Sequence, residues 1–416
     1  MVIPPLRRDA DFFWHSGGDD YTAAGCISDF QANMRSIGKV ETRFYEFNDR
    51  KDPLHLRVGG ELDRYTLAYE MYGRMNSDKS NVILLFHAMT GSQHAAGLNP
   101  DVPGLDGRWT EENHRGWWDG FVGPGKPLDT RIFCVICVNY LGGCYGSTGP
   151  ASINPRTRKV WGPSFPVLRM SDIVDSQMRL LDALGVHRVH AVVGGSIGGY
   201  LCLLVATRYP DRVRTVIPIG TGPETTIYNR IINFEQVTAI EADPHFKGGA
   251  YYGKARPDTG LALARRIAHK TFVSLEMLRE RARGEVMNHK PPHGWYEMNH
   301  PVESYMFYQG VKFVKRFDAN SYLRILDAWQ WFDLAAEAGA SNLNEAFDRC
   351  RSHQFLVFSI DSDLSFPPVE QEKLIKLLKR ARVPAIWITV HSDKGHDAFL
   401  LEPKLFAPYL QQALQH

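Results

Sequence analysis

The sequence contains no apolar run of the ~18 residues that a bilayer-spanning helix needs, no internal repeat and no low-complexity tract. It also has no excess of either charge: 48 Lys and Arg face 46 Asp and Glu, a formal net of +2, and no basic run carries interleaved aromatics. Neither a nucleic acid nor a membrane is therefore expected as a partner. The first 13 residues hold two arginines with no apolar stretch behind them, so no secretory signal is read there. Cysteine is scarce, six in 416 residues. The close pair Cys134 and Cys137 stands inside the strand-like run Ile132-Phe133-Cys134-Val135-Ile136-Cys137-Val138, whereas a redox pair belongs at a helix N-terminus. The pair reads as core, and a reducing, cytoplasmic setting is expected. Neither the cysteines nor the 16 histidines recur at metal-ligand spacing, so no metal and no permanently bound cofactor is expected.

What is present is length and a 44% hydrophobic composition, enough for a large core and one smaller module. Residues 1–45 show no clear period and read as an N-terminal extension wrapping the core. From residue 65 strands and helices alternate. Asn81-Val82-Ile83-Leu84-Leu85-Phe86 reads as a buried strand, 131–139 as another, 172–184 as an amphipathic helix with Gly185 as its stop, and 214–219 as a further strand. The rhythm returns with strands at 354–360 and 385–390, a helix at 369–381 and a last helix from 404. This alternation predicts an α/β fold, a mostly parallel sheet with helices on both faces. Between its two parts, 46–222 and 333–416, residues 223–332 read as helices rich in Arg, Met, Tyr and Trp. They form an inserted lid rather than an independent domain.

The run Val192-Val193-Gly194-Gly195-Ser196-Ile197-Gly198-Gly199 has the form G-x-S-x-G between a β-branched run and an apolar helical pattern. That is the context of the nucleophile elbow of an α/β-hydrolase, in which a side chain at 194 or 198 would crowd the backbone. A serine hydroxyl needs a base, itself oriented by an acid, and in this architecture the chain order is Ser, acid, His. Asp363 follows one late strand and His396 the next, both at strand C-terminal ends, where open α/β sheets place their sites. Asp361 competes with Asp363, which is favoured by its distance to the Pro367-Pro368 turn; His391 is nearer the strand and lacks the glycine that precedes His396. The oxyanion site requires two backbone N–H groups, here expected from Met89, in the loop Phe86-His87-Ala88-Met89-Thr90-Gly91, and from Ile197. His87 reads as a support for that loop.

Several further runs are specific when taken together: His87-Ala88-Met89-Thr90-Gly91, Gly116-Trp117-Trp118-Asp119-Gly120, Gly123-Pro124-Gly125-Lys126, Asn139 with Asn154-Pro155, Arg316-Phe317-Asp318-Ala319-Asn320-Ser321-Tyr322, and Gly395-His396-Asp397-Ala398-Phe399-Leu400. With the elbow, they make the chain resemble the homoserine O-acetyltransferases over about residues 65–401. The resemblance implies a two-step transfer in which acetyl-CoA acylates Ser196 and an acceptor hydroxyl, deprotonated by His396, collects the acetyl group. It also implies that Arg265, in Ala264-Arg265-Arg266-Ile267-Ala268-His269-Lys270-Thr271-Phe272, meets the carboxylate of homoserine and Asp397 its ammonium. The family's tyrosine at the end of that run is Phe272 here, which removes a hydroxyl from the acceptor site. Some relatives are acetyl-ester hydrolases, so hydrolysis of small acetate esters with the same triad stays open beside transfer. A homodimer through lid helices is a further implication. Among the lid residues, Tyr305, Met306, Phe307, Tyr308, Trp329, Trp331 and Phe332 read mainly as lid packing.

Overall fold

Short β-branched and aromatic runs pair into one eight-stranded sheet in the computed structural model, which describes residues 36–105, 107–283 and 295–415. The strands are β1 (Arg43–Asn48), β2 (Arg64–Tyr72), β3 (Val82–Phe86), β4 (Cys134–Val138), β5 (Val189–Gly195), β6 (Val213–Ile219), β7 (Gln354–Ile360) and β8 (Ala385–Val390). Their spatial order is β1-β2-β4-β3-β5-β6-β7-β8. β2 runs antiparallel to both β1 and β4, and every other pairing is parallel. The longer helices are α1 (Met170–Ala183), α2 (Ile197–Arg208), α3 (Ile227–Glu241), α4 (Asp258–Phe272), α5 (Leu275–Arg281), α6 (Pro301–Arg316), α7 (Ala319–Gln330), α8 (Pro368–Arg380) and α9 (Pro403–Gln415). Among the described residues, no helix is long and apolar enough to cross a membrane.

Strand alternation divides the core into two layers. Val82, Leu84 and Phe86 of β3 face Ile173 and Leu180 of α1 and Leu201 and Leu204 of α2. Ile83 and Leu85 face the opposite way, toward Phe406, Leu410 and Leu414 of α9. All five residues of β3 and of β4 are buried, which is why both read as unbroken apolar runs. Cys134 and Cys137, three apart on β4, fall on opposite layers, and both thiols are buried and free. They are core residues with no route to each other.

Local chemistry moves some expected boundaries. β4 starts three residues later than the expected 131, because Asp129 draws the preceding residues into a turn. Its carboxylate accepts from the Arg131 backbone and its carbonyl from Ile132 N–H, both at 3.0 Å. Two short helices before β7, Leu334–Ala338 and Leu343–Asp348, were not evident from periodicity. They are capped by Asp333 and Asn342, whose side chains accept from Ala336 and Glu345 N–H. Residues 1–35 of the expected extension lie outside the described residues. The expected limit at residue 45 falls inside β1, which pairs along β2 from Arg43 to Asn48. Helices α3 to α7 lie between β6 and β7 in the chain.

Candidate active site

β5 ends in Gly194-Gly195 and α2 begins at Ile197, so the chain reverses at Ser196. Ser196 has φ +60° and ψ −130°, a conformation that costs a non-glycine residue on the order of 1–3 kcal/mol. It is held there by its N–H bond to the Ile219 carbonyl (3.0 Å), on neighbouring β6. Only glycine fits on either side: a Cβ at 194 would stand 2.5 Å from the Gly198 carbonyl oxygen, and one at 198 would stand 2.8 Å from that of Phe86. The side chain of Ser196 thus projects from a tight elbow at the mouth of α2, whose first N–H groups have no acceptor within the helix. The Ile197 N–H is one of these.

Asp363 sits in the turn after β7. One carboxylate oxygen accepts from the Ser365 and Phe366 N–H groups, both at 2.8 Å; the other accepts from His396 Nδ1 at 2.6 Å. Both side chains are almost fully buried, and Phe366 stacks on the imidazole at 5.3 Å while Phe399 meets it edge-on at the same distance. With Nδ1 committed to the carboxylate, His396 Nε2 is left buried and without a partner, on the wall of a pocket that Ser196 also lines. Burial opposes a charge on His396, but the carboxylates of Asp363 and Asp397 outweigh it and raise the imidazole above its ordinary 6.5. Asp361 pairs instead with His391, at 2.9 Å and on the surface. Two Asp–His pairs therefore run side by side from β7 and β8, and the pair facing Ser196 is Asp363–His396.

The pocket has a volume of about 180 Å³ and is walled by Ser196, His396, the loop Ala88-Met89-Thr90-Gly91, and Arg265 and Phe272 of α4. Asp397 also lines it, so the opposite charges of Arg265 and Asp397 face one cavity. The Arg265 guanidinium lies over the rings of Phe272 (5.4 Å) and Phe313 (5.1 Å), with no carboxylate at ion-pair distance among the described residues. Burial and the nearby Arg316 pull its pKa down. Burial pushes Asp397 up to about 6, against the attraction of His396 and Arg265. Phe272, 6.2 Å from the His396 ring, presents a bare aromatic edge here. The turn between α4 and α5 also touches the histidine loop directly: a Cβ at Gly395 would stand 2.5 Å from Ser274 N, and the Ser274 hydroxyl donates to the Asp393 carbonyl.

Met89 lines the pocket, and among the described residues its N–H makes no backbone hydrogen bond. His87 is buried and stacked on Tyr140 at 3.6 Å, with its Nδ1 on the Ala88 carbonyl; burial takes it down to about 4, which keeps it neutral. It braces the loop. Trp117, Arg316, Phe399 and Leu400 line the pocket with no role expected from the sequence, and Trp329, expected to be packing, lines it too. Trp117, Arg316 and Phe399 stood in runs noted as specific, but nothing in a run of letters says which side chain turns inward. A larger apolar hollow, about 280 Å³, lies at the N-terminal ends of β7 and β8 against Tyr409, and its lining includes no serine, cysteine, histidine or carboxylate.

The chain is similar to several known proteins. A family model described as alpha/beta hydrolase fold matches residues 81–403. A homoserine O-succinyltransferase of Alkalilimnicola ehrlichii is 41% identical over 90% of this chain and 96% of its own length. A homoserine O-acetyltransferase of Caulobacter vibrioides is 42% identical over 88% of this chain and 91% of its own. Among solved structures, that of esterase E22 superposes with a TM-score of 0.79 at 26% identity, covering 90% of this chain and 100% of its own.

Proposed function

This chain belongs to the homoserine O-acyltransferase family of the α/β-hydrolase fold, and from that premise we propose that it moves an acetyl group from acetyl-CoA to the hydroxyl of L-homoserine through an ester on Ser196. In the first half, His396 Nε2 takes the Ser196 proton as the oxygen attacks the thioester carbonyl. The Met89 and Ile197 N–H groups receive the oxyanion, and coenzyme A leaves with the proton returned by His396. In the second half, His396 takes the proton of the homoserine hydroxyl, whose oxygen attacks the acyl-enzyme and frees Ser196. Asp363 holds the imidazole in the tautomer that both halves need. No permanently bound cofactor enters this scheme, and its setting is the cytoplasm.

The observation that carries the acceptor is the pair Arg265 and Asp397 on the same cavity as Ser196. An amino acid presents a carboxylate and an ammonium together, and this cavity presents their complements. Thiol release from acetyl-CoA is expected to rise strongly on adding L-homoserine. Arg265→Ala is expected to lower kcat/KM for homoserine tenfold to over a hundredfold, the ~1.5–3 kcal/mol of a charge-assisted contact. The KM for homoserine is expected to rise as pH falls through about 6, where Asp397 takes up its proton and loses its hold on the ammonium. Succinyl-CoA run in parallel tests the donor, since relatives of equal similarity are named for either acyl group. Faster succinyl transfer would replace acetyl in this reading.

A second reading is hydrolysis of small acetate esters, favoured by the apolar Phe272 beside Arg265 and His396 and by the likeness to an esterase. Negligible thiol release with fast cleavage of an acetate ester would establish it. Phe272→Tyr would then be expected to weaken that hydrolysis or restore some transfer.

A homodimer through the lid is part of the proposal. Trp329 and Phe332 are buried, so they pack the lid rather than a partner. The exposed apolar stripe is on α3, where Ile227, Ile231 and Phe234 fall on one helical face at 74%, 51% and 66% exposure. Sedimentation at micromolar concentration is expected to give a dimer, and Ile231→Glu a monomer. A monomeric wild type would remove the claim.

A further inference from the structure

Three of the four carbonyls between His87 and Thr90 are pinned. That of His87 accepts from the Tyr140 hydroxyl, and that of Ala88 accepts from Gly91 N–H at 2.9 Å. That of Thr90 accepts from Arg316 Nη1 at 3.1 Å. The first brace comes from the core, and the second closes a turn within the loop itself. The third comes from the last residue of α6, a lid helix. Arg316 is itself fixed on the core side, because Nη1 also donates to the Tyr145 hydroxyl at 2.8 Å and Nε lies 3.6 Å from a carboxylate oxygen of Glu112. Its side chain is only 16% exposed and lines the cavity that holds Ser196. The planar guanidinium serves these separate acceptors at once, which a lysine ammonium on its flexible stem does less well.

We propose that Arg316 is a positioning residue for the oxyanion site: by holding the Thr90 carbonyl it fixes the segment that carries the Met89 N–H, and it makes that fixation depend on the lid being seated. The proposal rests on the reading of Ser196 and Met89 given above. An oxyanion donor helps only if its direction is set before charge develops, because a loop that reorients during the reaction spends the stabilisation on its own reorganisation. Without Arg316, the loop keeps its core brace at His87 and its internal turn bond but loses its hold from outside on the far side of Met89.

The test uses the full-length enzyme with Ser196 counted by a fluorophosphonate label, so that rates are expressed per competent site. Arg316→Met removes every donor at similar length. It is expected to slow acylation by p-nitrophenyl acetate and transfer to homoserine alike, about tenfold to a hundredfold. Both slow because each half of the reaction forms an oxyanion, and the loss stays below the 10²–10³ for deleting a donor outright. The KM for homoserine is expected to stay put, and Arg316→Lys to recover part of the rate through one restored donor. The ester readout holds whichever acceptor proves correct. Unchanged ester acylation with a raised homoserine KM would overturn the proposal by making Arg316 an acceptor contact. A wild-type rate per labelled site, with only a lower Tm or fewer labelled sites, would overturn it by making the residue packing alone. Absence of label on Ser196 in the wild type would instead bring down the underlying reading, and the proposal with it, before any variant is made.

Discussion

Ser196→Ala is expected to abolish covalent labelling by a fluorophosphonate and to lower turnover by about 10⁶, the scale of losing a serine nucleophile that works with a histidine base. The residual rate would come from the cavity and its oxyanion donors, which the substitution leaves in place. Alanine carries a Cβ as serine does, so the strain at φ +60° is the same in both and the fold should be retained. A change in Tm of no more than a few degrees, with activity gone, is the expected pair of results. Full turnover in this variant would remove Ser196 from the chemistry and return the elbow to a strand–helix turn with an incidental serine.

Asp363→Asn is expected to cost about 10⁴ in rate, because an amide in place of the carboxylate no longer enforces the tautomer with Nε2 free. The pH profile should move as well. His396 acts as a base only when neutral, and its pKa stands above 6.5 because neighbouring carboxylates outweigh its burial. In the wild type, kcat/KM should therefore fall as pH drops through a value above 6.5. In the variant one of those anions is gone, the imidazole gives up its proton more readily, and the limb should shift to lower pH. Asp361→Asn is the matched control. Its partner His391 has an 84% exposed side chain, and an exposed pair of this kind contributes about 0–1 kcal/mol. No more than a few-fold effect is expected there, and a loss equal to that of Asp363→Asn would show that the wrong carboxylate has been chosen.

The elbow was legible because its constraint is local. A strand that must turn sharply into a helix around one side chain needs glycine at 194 and 198, and the contacts a Cβ would make there show why. The order of serine, acid and histidine was legible for a related reason, since each follows a strand whose apolar run marks its own end. The choice between Asp361 and Asp363 was not closed at that level. Two residues apart in an extended turn, both reach a histidine, and only the packing of Phe366 and Phe399 around His396 shows which pair is enclosed. The change from strand rhythm to helices after residue 222 was legible. Of the apolar residues there that read mainly as packing, Trp329 and Phe332 are buried, while Tyr308 and Trp331 are 41% and 60% exposed.

Periodicity and turn chemistry, which act over a few residues, were enough for the sequence alone to determine the α/β architecture, the sharp strand-to-helix turn at Ser196 and the strand ends that carry Asp363 and His396. Tertiary structure alone decided what surrounds them. Arg265 and Asp397 face one cavity from elements 132 positions apart, and Arg316 reaches across 226 positions to the Thr90 carbonyl. Contacts of that kind depend on how the helices between β6 and β7 pack against the loops at the end of the sheet. That is set by the shape of buried surfaces, and it leaves no period or spacing in the chain from which to read it.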